Sequence, residues 1–386
     1  MGEVKITDSI KYIGVDDRTI DLFESQYEVP NGVSYNSYLI LDEKVTVMDT
    51  VDARKTDEWL ANLEEALEGR DVDYLVVSHM EPDHASNIQR LAEKYPNVKV
   101  VGNAKTFAMI PQFFDIDLSE RSVVVKEGDT LNLGAHTLQF FMAPMVHWPE
   151  VMVAYEKSEK ILFSADGFGK FGALDTDEAW TCEARRYYFN IVGKYGAQVQ
   201  ALLKKAATLD IQMICPLHGP ILKEDLGYYI GKYDVWSKYE PEDEGVFIAY
   251  ASIHGNTAKA AKKLAEMLEE KGAKRVAIAD LSRDDMAEAV EDAFRHDKLV
   301  VASSTYDGGL FPCMEDFLSH LKAKNFQKRT VGIMENGSWA PMAGKKMREI
   351  LEGMKDITIC EPVVTIKSTM KEDTIKVMEE LAEKLK

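Results

Sequence analysis

Apolar residues along this chain fall into two textures. Over the first two thirds, short β-branched and aromatic runs are separated by turn residues, as in YLILDEKVTVMD and VMVAYEKSEKILFSAD, where DEK and KSEK join hairpin strands. Helical spacing lies between them, most clearly from Thr56 to Leu67. The pattern predicts sheets covered by helices, with antiparallel pairs present. From Ser237 to Gly245 the run SKYEPEDEG is polar, carries a proline and four acids, and has no apolar period, so it reads as a linker.

Beyond that run the alternation becomes regular. Strands VFIAYA, RVAIAD, KLVVAS, TVGIME and ITICEPVVTI are separated by helices starting at Thr257, near Met286, at Pro312 and at Ala343, and a last helix closes the chain. Such alternation specifies an α/β doubly wound parallel sheet, whose ligand sits beyond the carboxyl ends of the strands. The expected domains are residues 1–244 and 245–386.

Charge and cysteine usage remove several partners from consideration. With 46 Lys+Arg against 65 Asp+Glu the formal charge is −19, and a surface this acidic repels nucleic acid, whose binding draws its affinity from Lys and Arg. Cys182, Cys215, Cys313 and Cys360 lie far apart with no CxxC pair. That spacing excludes a rubredoxin-like or ferredoxin-like cluster module within the chain. Isolated thiols fit a reducing compartment. The opening MGEVKITDSI has no apolar signal region, and no apolar run reaches membrane-spanning length. The expected location is the cytoplasm.

Two groups of residues carry candidate chemistry. Strand YLVVS runs into His79-Met80-Glu81-Pro82-Asp83-His84, which sets four possible metal ligands on one loop at a strand end. Alone this is as readily a solvated acidic loop. His147 in MVHWPE, Asp166 in FSADGF and His218 in CPLHGP each end a β-like apolar run, where side chains can reach a shared rim, and the set points to a binuclear metal site. His136, His296 and His320 have no partner ligands and read as structural or surface residues.

The second group follows strand VFIAYA, where Ser252-Ile253-His254-Gly255-Asn256-Thr257 opens a helix. Hydroxyl and amide groups beside free N–H groups at a helix N-terminus suit a phosphate dianion. There is no GxGxxG and no GK[ST], which disfavours dinucleotide and nucleoside triphosphate loops. Ser303-Ser304-Thr305-Tyr306-Asp307-Gly308-Gly309 and Asn336-Gly337-Ser338-Trp339 follow the third and fourth strands. They add close backbone approach and aromatic planes suited to a flat heterocycle.

At the seven candidate ligands the chain resembles the metallo-β-lactamase fold, and specifically its flavodiiron branch, the A-type flavoproteins, over nearly its whole length. Residues 245–386 resemble flavodoxin. The resemblance implies an αββα sandwich followed by a flavodoxin-like five-stranded sheet. It implies His79, Glu81 and His147 on one iron, Asp83, His84 and His218 on the other, and Asp166 bridging. His84 is the least secure ligand, because in some members the residue there turns away. It further implies FMN, with the Ser252–Thr257 loop on its phosphate and the other two loops around the isoalloxazine, and His254 as a further partner for either end of the flavin. Hydrolases of this fold carry a histidine where this chain has Glu81, and the carboxylate makes the site harder and more anionic. Three carboxylates with a bridging hydroxide balance two divalent ions.

The implied reaction is reduction of dioxygen to water, of nitric oxide to nitrous oxide, or both, with electrons from an external donor such as rubredoxin. A head-to-tail homodimer or a dimer of dimers would set each FMN beside the partner's diiron centre. Trp148 would shield the site or serve as core, and Tyr27 and Tyr195 fall where the family can place tyrosines behind its ligands, although packing accounts for both. The competing enzyme reading is a dizinc hydrolase with a fused flavodoxin-like carrier. A pure electron carrier would need missing ligands, and all seven are present.

Overall fold

The computed structural model describes residues 4–386. The chain resolves into two compact units, one running to Tyr188 and resuming over Ala197–Asp234, the other formed by Phe189–Gly196 and Val235–Lys386.

Two sheets make the first unit. One has the strand order Ile10–Tyr12, Tyr38–Ile40, Thr46–Met48, Tyr74–Val76, Lys99–Gly102, Ser122–Val124. The other runs Thr130–Asn132, Thr137–Met142, Met152–Glu156, Ile161–Phe163, Met213–Cys215. Both expected hairpins form, Tyr38–Ile40 with Thr46–Met48 and Met152–Glu156 with Ile161–Phe163, each antiparallel. Tyr38, Ile40, Met48, Val76 and Val101 pack in one buried cluster with Phe140, Met152, Ala154, Phe163 and Cys215 of the facing sheet. Helix Thr56–Leu67 buries Trp59, Leu63 and Leu67, one stripe at a spacing of four. The Trp59 indole N–H donates to Ser37 Oγ at 3.0 Å, so the helix is tied to the segment before strand Tyr38–Ile40.

The second unit is one sheet of five parallel strands in the order Val276–Asp280, Asp243–Ala251, His296–Tyr306, Arg329–Asn336, Ile357–Ile366, with a short strand Gly309–Leu310 folded back on the third. Helices Asn256–Glu270, Met286–Arg295, Pro312–Ala323, Ala343–Glu352 and Glu372–Leu385 separate and close the strands as the sequence predicts. No helix among the described residues is long and apolar enough to cross a membrane.

Two sequence expectations change here. The polar run taken as a linker shrinks to Lys238–Glu242, since helix Leu226–Ser237 precedes it and strand Asp243–Ala251 starts within it. Trp236 and Tyr239 are buried, with the indole donating to Glu242 Oε2 at 2.8 Å and the phenol to Lys194 O at 3.0 Å. Two aromatic anchors thus outweigh the polar composition around them. His296, expected in a helical context, begins a strand, donates from Nδ1 to Asp292 O at 2.9 Å, and stacks on Phe247, which makes it a structural residue.

Arg329 organises the start of the second unit. Its guanidinium is buried and donates to five carbonyls: His296 O and Tyr239 O at 2.7 Å, Gln327 O and Lys328 O at 3.1 Å, and Phe294 O. Burial pulls its pKa down to about 10, so the group stays charged at neutral pH. Only a planar fork with five donors satisfies these acceptors together. Arg329→Met should therefore destabilise this unit by about 2–4 kcal/mol. The expected fall in its melting temperature is roughly 5–15 °C. Hydrogen exchange on strands Asp243–Ala251 and Arg329–Asn336 reads the same loss locally, and an unchanged melting temperature would refute it.

Candidate metal centre and flavin edge

Strand ends deliver the seven candidate ligands to one place. Tyr74–Val76 runs to His79, Ile161–Phe163 to Asp166, and Met213–Cys215 to His218, while His147 lies on the loop before Met152–Glu156. Glu81, Asp83 and His84 sit at and within the single helical turn Pro82–Ala85, where Pro82 opens the turn. Gly219, directly after His218, has φ +77°, and a Cβ there would lie 2.7 Å from Lys170 Cγ, so only glycine lets the two loops close this tightly.

The side chains form two adjoining groups, His79 with Glu81, His147 and Asp166, and Asp83 with His84 and His218. In the first, Glu81 Oε2 lies 3.2 Å from His79 Nε2 and 3.0 Å from His147 Nε2, and Asp166 Oδ2 lies 3.3 Å from both imidazoles. In the second, Asp83 Oδ2 is 3.3 Å from His84 Nε2 and 3.2 Å from His218 Nε2. Asp166 Oδ1 turns toward this group, 3.3 Å from His84 Nε2 and 3.8 Å from His218 Nε2. One carboxylate therefore presents an oxygen to each side. His84 directs its Nε2 into the cluster, 3.0 Å from His218 Nε2.

Spacings near 3 Å are the edges of a coordination polyhedron with bonds of about 2 Å, the length of metal–imidazole and metal–carboxylate bonds. Both oxygens of Asp83 and of Asp166 are buried without a hydrogen bond. The two imidazoles of the second group bring their Nε2 atoms face to face, as two ligands of one ion do. Nitrogen and carboxylate donors without thiolate suit iron.

The titration directions carry the same message. Burial opposes charge on every group, yet the carboxylates overcome it on the imidazoles: Asp83 and Asp166 push His84 up to about 10, and Asp166 with Glu81 pushes His147 up to about 9. Against the same burial penalty, His84 and His218 hold Asp83 well below the carboxylate range, and His79, His147 and His84 do so for Asp166. The buried carboxylates thus favour positive charge in their midst, as a metal site does.

Residues beyond the expected seven set ligand orientation. Glu150 is fully buried; its Oε1 accepts from Met80 N at 2.8 Å and pairs with His79 Nδ1 at 2.7 Å. It lies three residues after His147, in the very MVHWPE run that marked the histidine. The Ser34 carbonyl accepts from His218 Nδ1 at 2.8 Å. Asp49, also buried, accepts from Ser78 N at 2.6 Å beside His79, and burial lifts its pKa to about 6. The tyrosine behind the cluster is Tyr187, whose ring lies 5.5 Å from that of His218. Burial, then Asp166, Glu81 and Asp83, raise its pKa far above the ordinary phenol range, so it stays protonated. Tyr195 instead belongs to the other compact unit and packs beneath Lys194, and Tyr27 packs 6.0 Å from Phe171. Trp148 is partly exposed and stands edge-on to His79 at 5.3 Å.

On the second unit the three loops lie at the carboxyl ends of adjacent strands. Helix Asn256–Glu270 begins after Gly255 at φ +88° without a side-chain cap, which leaves its first N–H groups available. Gly255 N donates to Ser252 Oγ at 3.1 Å, and the Thr257 and Ser304 hydroxyls, 2.9 Å apart, join two loops. Asp307 and Gly308, both at positive φ, form the two-residue turn of a hairpin that pairs Tyr306 with Gly309. Not every expected contact points outward. Thr305 Oγ1 accepts from Met342 N and Ala343 N at 2.9 and 3.1 Å, and the Asn336 amide is spent on both backbone groups of Ser368, each at 3.0 Å. Ile253, His254, Tyr306 and Trp339 are exposed, the last at 93%, while Gly337 and Ser338 complete the rim.

A binuclear site on a β-lactamase-like sandwich, joined to a flavodoxin-like sheet, defines a class of two-cofactor redox proteins. Residues 33–219 match the family described as ODP family beta lactamase, and residues 247–358 match a flavodoxin domain. A rubredoxin-oxygen oxidoreductase of Megalodesulfovibrio gigas is 30% identical over 92% of this chain and 90% of its own length. A nitric oxide reductase of Moorella thermoacetica is 29% identical over 99% and 98%. The solved rubredoxin oxygen:oxidoreductase of Desulfovibrio gigas superposes with a TM-score of 0.92 at 28% identity, covering 99% of this chain and 97% of that one. The chain belongs to the flavodiiron protein family of oxidoreductases. The family's cofactors, a non-haem diiron centre and FMN, suit the donor set and the flavodoxin-like unit described above.

Glu150→Gln should weaken metal binding by about 10- to 100-fold, because the amide no longer holds the His79 imidazole as the carboxylate does. Competition with a chromophoric chelator measures this, and wild-type affinity in the variant would rule out the orienting role.

Proposed function

We propose that this protein reduces dioxygen to water, nitric oxide to nitrous oxide, or both, using electrons that an external donor such as rubredoxin delivers through FMN. The observation that carries the reading is the Asp166 carboxylate turned to both groups of ligands, with Glu81 where hydrolases of the fold carry histidine. In this reading residues 1–244 carry the metal chemistry and residues 245–386 the flavin, and the protein works in the cytoplasm. A dizinc hydrolase would have no use for the flavodoxin domain, which the match over residues 247–358 supports.

His79, Glu81 and His147 would hold one iron, Asp83, His84 and His218 the other, with Asp166 shared. When bound, the two irons supply electrons and adjacent binding positions to a diatomic gas. Glu150 and the Ser34 carbonyl keep the Nδ1 faces of His79 and His218 turned away, so that Nε2 faces inward. Tyr187 holds a phenolic proton beside the carboxylates. On the flavin side, the N–H groups opening helix Asn256–Glu270, with Ser252, Asn256 and Thr257, suit the phosphate, and Tyr306 and Trp339 supply aromatic faces for the ring.

Asp166→Ala is expected to lower iron content and abolish reduction of either gas while the FMN spectrum persists. Two irons per chain by metal analysis of the anaerobically purified wild type support the reading. Two zincs, or full turnover in the iron-depleted variant, would sink it.

We further infer that the working unit is a head-to-tail dimer, or a dimer of such dimers, in which each FMN serves the partner's metals. Mixing Asp166→Ala chains with Asn256→Ala/Thr257→Ala chains tests this. Random exchange makes about half of the dimers mixed, each with one working site of two, so roughly a quarter of wild-type activity should return. No recovery, with exchange confirmed by native mass spectrometry, refutes transfer across the dimer.

A further inference from the structure

A cavity of about 160 Å³ opens over the ligand cluster, with Glu81 and Asp83 in its floor and Phe23, Glu24, Tyr35 and Arg54 among its walls. Tyr35 ends strand Val33–Tyr35, next to the Ser34 carbonyl that holds His218. Its buried ring meets the His218 ring edge-on at 6.0 Å and 62°. The guanidinium of Arg54 donates from Nη2 to the Tyr35 hydroxyl oxygen at 2.9 Å. Arg54 is itself fixed by Asp52 at 3.2 Å and by the fully buried Asp17 at 3.6 Å.

This arrangement leaves the phenolic hydrogen free for a second partner. A hydroxyl whose oxygen already accepts an N–H keeps its own hydrogen for a second partner. Among the described residues, the Arg54 contact is the one hydrogen bond recorded for the Tyr35 hydroxyl. Tyr35 is among the residues lining the cavity, which has room for a diatomic molecule and a few waters at about 30 Å³ each. A neutral O–H adds no charge to a cluster that already holds three carboxylates. It strengthens as a donor when negative charge grows on its acceptor, and the Arg54 N–H behind it polarises the bond in the same sense.

We propose that Tyr35, oriented by Arg54, donates a hydrogen bond to the small molecule held in this cavity, and is thereby a catalytic residue for the gas reduction argued above. The inference rests on that reading for its substrate. Arg54 is a positioning residue that acts through Tyr35, and Asp17 and Asp52 keep it in place. Tyr187 approaches His218 separately, so substitution at Tyr35 isolates one donor.

Azide is a suitable probe, being a small anion that binds ferric centres and does not turn over. It should be titrated into the iron-loaded, FMN-containing protein and followed in the visible spectrum. Tyr35→Phe, with iron and FMN contents equal to wild type, should raise the azide Kd by about 5- to 20-fold, the loss of one hydrogen bond to an anion. Arg54→Met should raise it by about 2- to 5-fold, since the phenol remains but is less polarised. The kcat for gas reduction should fall by about tenfold or more in Tyr35→Phe, with KM little changed. An azide Kd at the wild-type value in an iron-replete Tyr35→Phe protein overturns the proposal. If that variant loses its iron, Arg54→Met decides, and wild-type azide affinity there overturns it equally. Wild-type protein that binds azide but reduces neither gas overturns the function proposed above and leaves the azide comparison standing.

Discussion

Three carboxylates and four imidazoles meet in a region almost closed to water, where strands of the first unit end. Charged carboxylates cannot remain there without compensating positive charge, because an unpaired buried ion costs several kcal/mol. That constraint shapes the surroundings. Glu150 is spent on His79 and on the Met80 amide, the Ser34 carbonyl on His218, and Asp49 on the Ser78 amide beside His79. Asn103 extends the support by donating to Glu150 O. The bonds of Glu150 and the Ser34 carbonyl fix ligands directly, and the others brace the backbone around them. The ligands are thus held by partners outside the cluster, and two divalent ions would supply the positive charge that its three carboxylates require.

The pattern of the chain revealed the architecture because period and punctuation are local. Helix Thr56–Leu67 shows its buried stripe in the order of its residues, and DEK and KSEK announce their hairpins. Strands ending in His79, Asp166 and His218 were legible for the same reason. Orientation was not legible, since it depends on partners far away in sequence. Glu150 finds His79 across 71 positions, and Arg329 finds Tyr239 across 90. The choice between Tyr187 and Tyr195 likewise turns on helix phase and on which unit each segment joins, neither of which a short YYFNIVGKY match contains.

The second unit shows a related limit. Its three loops were expected as flavin contacts in their entirety, yet Thr305 and Asn336 direct their polar atoms at backbone groups of the fold. Such bonds hold the loops in register and leave the rings of Tyr306 and Trp339 exposed at the strand ends. Hydroxyl and amide residues look identical in sequence whether they bind a ligand or brace the loop that does. Only the donor and acceptor geometry separates the two roles.

Under the proposed function, the contrast between the units follows from what would have to reach each one. Dioxygen and nitric oxide are diatomic, and a cavity of about 160 Å³ admits them while excluding anything the size of a protein. Burial is then an advantage, because low dielectric strengthens every contact to developing charge and water is kept to a few molecules. An electron donor that is itself a folded protein cannot enter such a cavity. In that reading electrons would need a second port at the surface, and the strand ends of the flavodoxin-like sheet suit one, with Tyr306, Ile253 and Trp339 left open to solvent. A buried metal site and an exposed flavin edge are therefore complementary answers to one requirement, that small substrates and large donors be kept on separate routes.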